Sequence, residues 1–396
     1  MSTSSLWQHL GFRRLYLSSI SFALGTQIYQ LALPLIFYEL TRSPTVMTGL
    51  RAVELLPNLL LAMFIGVWVD RVDRGRWARR AMSGMVVLMG LQALLLPQGA
   101  AMLPLFFVSA FALMSLNYLY AICRMGLVKE MLPEPLLLPA TGQLTVISQV
   151  AAVLGPALAG ALVAWQMALG LWLPMAALLL AAALLRGIDL PARPFVSAGY
   201  WQDWREGWRV LRANRPLWQL SWWVVLINGS AGVVEVLFLF RARDELQIPP
   251  ATLGLLYGLA GLGGICGGLL CSRLRGRLGL GRLLMSALAL EAASILMLAW
   301  GEALALLVCG MALNSFAMVL GNVCVWGYRQ ESTASAHIGR VSGLTGSLFK
   351  LLMPLALLAS GQLASHQALG ALLAGCAGLH LLACLGLRCS AIYRVP

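Results

Sequence analysis

Apolar residues fill this chain in long runs, broken at short intervals by charged or turn-forming residues. At about 20 residues per membrane crossing, the runs predict spans at 15–40, 47–69, 81–97, 103–125, 141–164 and 166–186, then at 217–240, 251–272, 283–300, 303–327, 340–361 and 367–388. Between the two sets lies one long polar connector, 187–216. Within it Trp201, Trp204, Trp208 and Leu211 recur at i, i+3, i+7 and i+10, while Arg205, Arg209 and Arg212 take another face. That pattern predicts an amphipathic helix lying in the membrane surface. The expected fold is an all-α membrane protein of twelve transmembrane helices: a six-helix bundle at 1–186, a cytoplasmic linker at 187–216 and a second six-helix bundle at 217–396.

Composition agrees. Hydrophobic residues make up 60% of the 396, charged residues only 11%, against about 25% charged in a soluble domain, and the mean hydropathy is +0.82. The spans and short loops leave no room for a sizeable soluble domain. A net charge of +13 would point to nucleic acid in a soluble protein. Here it reads as orientation charge, because 23 of the 28 basic residues fall beside one set of span ends; that side is the cytoplasm. Both termini are therefore expected inside. Arg42, Arg241 and Arg243 are placed in outer loops, Arg51 and Lys350 within spans, and Lys129, Glu130 and Glu134 in an inner loop. The first apolar run is too long for the core of a cleavable signal. Eight cysteines fall in spans or on the inner side, as small packing residues rather than disulfides.

The densest charge lies at 70–80, where five arginines and two aspartates occur in eleven residues. Such a stretch cannot lie in hydrocarbon and must turn at a membrane face. Its spacing, Gly66-x-x-x-Asp70-Arg71-x-x-Arg74, resembles the loop signature between the second and third helices of the major facilitator superfamily. The resemblance implies a secondary transporter in which Asp70 sits near the start of span 11, where the helix dipole favours an anion, with Arg71, Arg74 and Arg124 as partners. Asp73 stands where that family often has glycine. The motif recurs in the second half as Gly268-x-x-x-Ser272-Arg273, without the acid. Asn117-x6-Arg124 recurs as Asn322-x6-Arg329, and Pro156 as Pro354. These echoes predict a duplicated six-helix unit with substrate between the halves.

Several stretches resemble the multidrug and siderophore exporter branch of that superfamily, which includes enterobactin and macrolide exporters. They are Phe12-Arg13-Arg14, Leu56-Pro57, the 154–160 run LGPALAG, the 205–211 run REGWRVL and Gly339-Arg340-Val341. Gly155-Pro156 with Gly160 resembles an antiporter-associated motif; ordinary small-residue packing explains the same residues. Gly25-Thr26 lacks the acid that members often carry, and span 4 lacks the mid-span arginine of many drug–proton antiporters.

Ionisable residues inside spans are costly and point to function. Glu54 and Glu235 are the candidate proton carriers; Lys350 would neutralise one of them or receive an anionic group. Glu54 shares a face with Arg51 and Asn58, so a structural Arg51–Glu54 pair is the competing reading. Glu291, in the peripheral span 9, reads as an interhelical contact or a misplaced span boundary. Polar residues at mid-span depth give the candidate cavity: Gln27, Gln30, Asn58, Asn117, Tyr120, Asn228 and Asn314. Each could instead bridge helices.

The expectation is a proton-driven exporter of a small amphipathic molecule, monomeric and multi-pass in a bacterial cytoplasmic membrane. Import, or flipping of a lipid such as a lysophospholipid, is the alternative. A membrane-embedded enzyme is a third reading, but four histidines without ligand spacing or a nucleophile–base motif offer it no site. No metal, cofactor or nucleic acid is expected, and no phosphate-binding G-x-x-x-x-G-K-[ST] loop is present.

Overall fold

The computed structural model of the chain describes residues 3–61, 65, 69, 72–186, 200–334, 337–364 and 368–395. Among these residues every regular element is helical. The helices are α1 (Leu10–Thr41), α2 (Pro44–Leu60), α3 (Arg74–Leu95), α4 (Leu103–Met131), α5 (Glu134–Trp165), α6 (Leu169–Leu184) and α7 (Tyr200–Ala213). They continue as α8 (Arg215–Asp244), α9 (Pro250–Leu278), α10 (Leu280–Trp300), α11 (Leu304–Glu331), α12 (Ile338–Leu348), α13 (Met353–Ala364) and α14 (Leu369–Arg388). Among the described residues nine helical stretches are long and apolar enough to cross a membrane. One of these, Arg74–Met131, contains both α3 and α4.

Two compact units form. The first comprises 1–41, 53–196 and 249–258, and the second 42–52, 197–248 and 259–396. In the first, α1 packs against α5 and α6, and α3 against α4 and α6. In the second, α8 packs against α13 and α14, and α10 against α11 and α14. With α8 matched to α1 and α10 to α3, the four pairings of one unit recur in the other. Chain order alone predicts no such repetition, so the internal echo seen in the sequence extends to the packing.

Helix ends follow local chemistry. Asp73, extended at φ −65°, caps α3 by accepting from Arg76 N at 2.8 Å, which satisfies an orphan donor of the first turn. Asn214 does the same for α8, accepting from Leu217 N at 3.2 Å. The turn from α9 to α10 is reduced to Gly279, at φ +76°, a conformation that glycine adopts without a side-chain penalty. Small residues bring helices close. A methyl placed at Gly254 of α9 would stand 2.6 Å from Pro156 O and 2.9 Å from Gly160 Cα of α5.

Several boundaries differ from the sequence reading, among them the start of α3 at Arg74 and the end of α9 at Leu278. α4 runs to Met131 and α5 opens at Glu134, so Lys129, Glu130 and Glu134 are helical rather than in a loop. α8 runs to Asp244, which takes Arg243 into the helix and buries Arg241 instead of leaving it in an outer loop. There Arg241 Nη1 donates to Leu298 O at 2.8 Å and Gly301 O at 3.0 Å, carbonyls at the C-terminal end and cap of α10. The stretch 340–361, expected as one span, is two helices with an interruption at 349–352. Pro354 explains it: proline has no N–H for the carbonyl four residues back, that of Lys350, and its ring clashes there. Across the interruption the backbone turns on tighter bonds, Lys350 N to Ser347 O at 3.1 Å and Leu351 N to Leu348 O at 3.0 Å.

The amphipathic α7 is docked on protein along part of its length. Leu211 is fully buried in the core of the second unit. Glu206 accepts from Arg340 Nη1 at 2.9 Å, and Gly207 lies against the Arg340 backbone. Trp208 meets Trp218 of α8 edge to face, with centroids 5.2 Å apart.

Candidate functional site

Three residues of the sequence-predicted gate, Gly66, Asp70 and Arg71, lie outside the described residues, and the described part of the site begins at Asp73. The cap at Asp73 starts α3 and places Arg74 in its first turn. Arg74 Nη1 donates to Glu130 Oε1 near the end of α4, at 2.5 Å, with both side chains 18% exposed. Gly126 lies one turn before Glu130, on the same helix face. A methyl there would run into the Arg74 guanidinium, 2.9 Å from Cζ. The glycine is thus the channel through which the arginine reaches its acid.

The second unit holds the same constellation. Arg275, near the end of α9, binds Glu331, the last residue of α11, in a fork: Nη1 to Oε1 at 2.8 Å and Nη2 to Oε2 at 2.5 Å. Gly327, again one turn before the acid, has its face against Arg275, whose Nη1 would stand 3.3 Å from a methyl on that glycine. The arginine and the acid are 56 residues apart in both units, and Arg74, Gly126 and Glu130 map onto Arg275, Gly327 and Glu331 at one constant offset. The second clasp is wetter, with side chains 24% and 57% exposed. A pocket of about 760 Å³ lies beside it, lined by Gly268, Ser272, Arg275 and Gly327 among others.

Sequence reasoning misses Glu130, Arg275 and Glu331. The echo it finds pairs Asn117 and Arg124 with Asn322 and Arg329, one helical turn out of the clasp register. Arg124 lies over the Phe22 ring, 6.0 Å from its centroid. Arg329 instead donates to Thr345 Oγ1 at 2.9 Å. The signal that could have found the clasps is the repeated glycine four residues before an acid, each with an arginine at the same upstream distance.

The intramembrane groups take several distinct roles. Arg51 Nη2 donates to Glu235 Oε1 at 2.8 Å, so the structure joins α2 to α8 through this pair, a contact the sequence reading does not foresee. Glu54 is buried, 6% exposed. Lys350 sits half-buried in the α12–α13 interruption. Asn228 of α8 supports that interruption by donating from Nδ2 to Phe349 O at 3.1 Å, a carbonyl at the broken turn, and Gly229 packs against Leu352. Asn314 bridges helices, Nδ2 to Ser294 Oγ at 2.9 Å. Asn117 makes a long contact to Met114 Sδ of its own helix, at 3.9 Å. Tyr120 is fully buried with its ring 4.5 Å from that of Phe22. Gln27, Gln30 and Asn58 are half-buried. Gln27 lies against Gly155, where a methyl would stand 3.0 Å from the Gln27 carbonyl carbon, so the Gly155-Pro156 segment of α5 is packed tightly on α1.

Among the described residues no cluster of three or more His, Cys, Asp or Glu could hold a metal ion.

The family model of the Major Facilitator Superfamily matches residues 15–357. No curated protein matches the chain by sequence. Solved structures share its fold at low identity. A bacterial homologue of the iron transporter ferroportin, in an inward-facing state, is 16% identical with a TM-score of 0.75 over 98% of this chain and 99% of its own. The nucleoside transporter NupG, as a point mutant, is 12% identical with a TM-score of 0.77 over 96% and 99%. A bacterial homologue of the human lysosomal transporter Spinster is 14% identical with a TM-score of 0.69 over 97% and 95%.

Proposed function

This chain belongs to the major facilitator superfamily, and from that premise we propose that it is a proton-driven exporter of a small amphipathic molecule, working by alternating access. In this reading it has twelve spans, both termini are cytoplasmic, and it acts as a monomer in a bacterial cytoplasmic membrane. The observation that carries a moving, two-state protein is the pair of Arg–Gly–Glu clasps, one in each unit, at matching positions. An ion pair at helix ends as exposed as Arg275–Glu331 is made and broken at modest cost, which suits a reversible latch better than a static core. Gly66, Asp70, Arg71 and Arg124 complete the gate in this proposal, and Gly155-Pro156 supplies a closely packed helix.

The path is assigned to groups that cost most to keep in a membrane without a use. Glu54 and Glu235 carry protons, and Lys350, held in the broken helix with Asn228 beside it, meets a negative or polar part of the cargo. Gln27, Gln30, Asn58 and Asn117 line the route. The similar structures are those of proteins named for iron and nucleoside transport, so direction and cargo rest on the path residues and the exporter-like segments, not on the fold.

Ethidium accumulation in a deletion strain, with and without a protonophore, tests the reading. Expected is higher accumulation in the deletion strain, with the difference erased when the gradient is collapsed in the parent. Equal accumulation in both strains of ethidium and of an anionic amphiphilic dye tested beside it overturns the exporter reading. Normal gradient-driven efflux by both Glu54→Gln and Glu235→Gln overturns the carrier assignment.

A further inference from the structure

We infer that Glu291 and His380 form a second proton-binding site, buried inside the C-terminal unit; the inference rests on the proton-coupled reading above. Each residue stands near the middle of its helix, α10 of 21 residues and α14 of 20, so roughly 15 Å of helix lies on either side at 1.5 Å per residue. Glu291 Oε2 is 3.0 Å from His380 Nε2, with side chains 8% and 2% exposed. The other ring nitrogen, Nδ1, is 3.0 Å from Cys376 O and 3.4 Å from Ser230 Oγ of α8.

The Nδ1 tautomer sets the proton count of the pair. A carbonyl oxygen only accepts, so the 3.0 Å contact to Cys376 O is a hydrogen bond in the tautomer that carries its hydrogen on Nδ1. A neutral ring then has a bare lone pair at Nε2. Set against an ionised carboxylate at 3.0 Å, that arrangement brings two acceptors together in an apolar interior. One further proton removes the conflict, whether it resides on the ring or on the carboxyl group. The loaded pair is electrically neutral overall. The unloaded pair holds one uncompensated negative charge, which burial penalises strongly.

Among the described residues no neighbour supplies the missing countercharge. On α10 the other ionisable side chain is Arg282, more than two turns away. From α11, Gly321 faces Glu291 Oε1, 3.9 Å from a methyl position on the glycine, while Asn314 bonds Ser294 instead. From α8, Ser230 faces the ring; Glu235 binds Arg51, and Arg241 binds the end of α10. α13 has no ionisable residue. On α14 itself Cys376 lies one turn before His380, and Cys384 contacts Met285 O. A static link between α10 and α14 needs no titratable groups, since two amides would join them without burying a charge. The pair as built instead holds one proton between its two groups when loaded.

The test uses the full chain reconstituted in liposomes, with Glu291→Gln, His380→Gln and the double variant, whose amides can still bond each other. A pH step followed by infrared difference spectroscopy reads the carboxyl and imidazole groups directly. Ethidium efflux under an imposed pH gradient reads coupling. Expected is a carboxyl or imidazole difference band in the wild type that is absent from both Glu291→Gln and His380→Gln. Gradient acceleration of efflux should be lost in all three variants, even though the double variant regains wild-type thermal stability. Carboxyl and imidazole difference bands unchanged by both Glu291→Gln and His380→Gln overturn the site, as does a double variant that keeps gradient-driven efflux. Wild-type efflux indifferent to the gradient overturns the proton-coupled reading instead, and leaves the infrared band to judge the pair. Where a single variant folds poorly, the double variant carries the decision.

Discussion

The two clasps make a prediction that separates burial from bond length. Arg275–Glu331 is the better-formed pair by geometry, a fork with two short bonds, while Arg74–Glu130 has one short bond. Solvent ranks them the other way. With both side chains 18% exposed, the Arg74–Glu130 contact loses little to water, and a hydrogen bond between charged groups so placed is worth about 1.5–3 kcal/mol. Glu331 is 57% exposed, and an exposed ion pair contributes about 0.2–1 kcal/mol. Double-mutant cycles with Arg74→Met and Glu130→Gln, and with Arg275→Met and Glu331→Gln, isolate each coupling from the other contacts of these side chains. Unfolding of the purified protein by denaturant supplies the free energies. The expected couplings are about 2 kcal/mol for the first cycle and about 0.5 kcal/mol for the second. Raising the salt concentration should erode the second and spare the first, because ions screen exposed charges over roughly 10 Å or less. A second coupling equal to or larger than the first, or one insensitive to salt, refutes the ranking by burial.

Two further outcomes test the packing. Gly254→Ala drives a methyl into the backbone of α5 at Pro156 and Gly160, and overpacking against backbone should cost about 1–3 kcal/mol. Gly276→Ala, with nothing within 4 Å, should be neutral or slightly stabilising; unfolding midpoints compare the two, and equal effects would contradict the close approach. Arg241→Leu removes the donor shared by Leu298 O and Gly301 O. It should destabilise the protein by about 2 kcal/mol, with faster amide exchange confined to the end of α10 as the specific sign.

Much of the fold is legible in the sequence because membrane physics writes itself in one dimension. An apolar run must be about as long as the bilayer is thick, so the spans and their charged ends can be read directly. What depends on partners distant in the chain cannot. Glu130 reads as loop charge until α4 is seen to continue past it, toward an arginine 56 residues earlier. Arg241 reads as an outer-loop charge because its acceptors lie 57 and 60 residues further on. Asp73 stands out as a departure from a family glycine, although an aspartate three residues before a helical N–H is an ordinary cap. The break at Lys350 has a local signal, Pro354 four residues on, that a stricter reading would use. Glu291 is recognisable as an interhelical contact, but its partner His380 sits on another span and no spacing announces it.

The interruption of the 340–364 stretch bears on how the chain is assembled. By composition this stretch is one continuous 25-residue apolar segment, and a translocation machinery that weighs apolar length would pass it into the membrane whole. The two helices that form there, of 11 and 12 residues, are each too short to cross alone. Inside hydrocarbon, an unbonded carbonyl at Phe349 is costly, so the break is stable only once Asn228 is beside it. Asn228 is made 121 residues earlier. Synthesis order therefore delivers the donor before the carbonyl it satisfies.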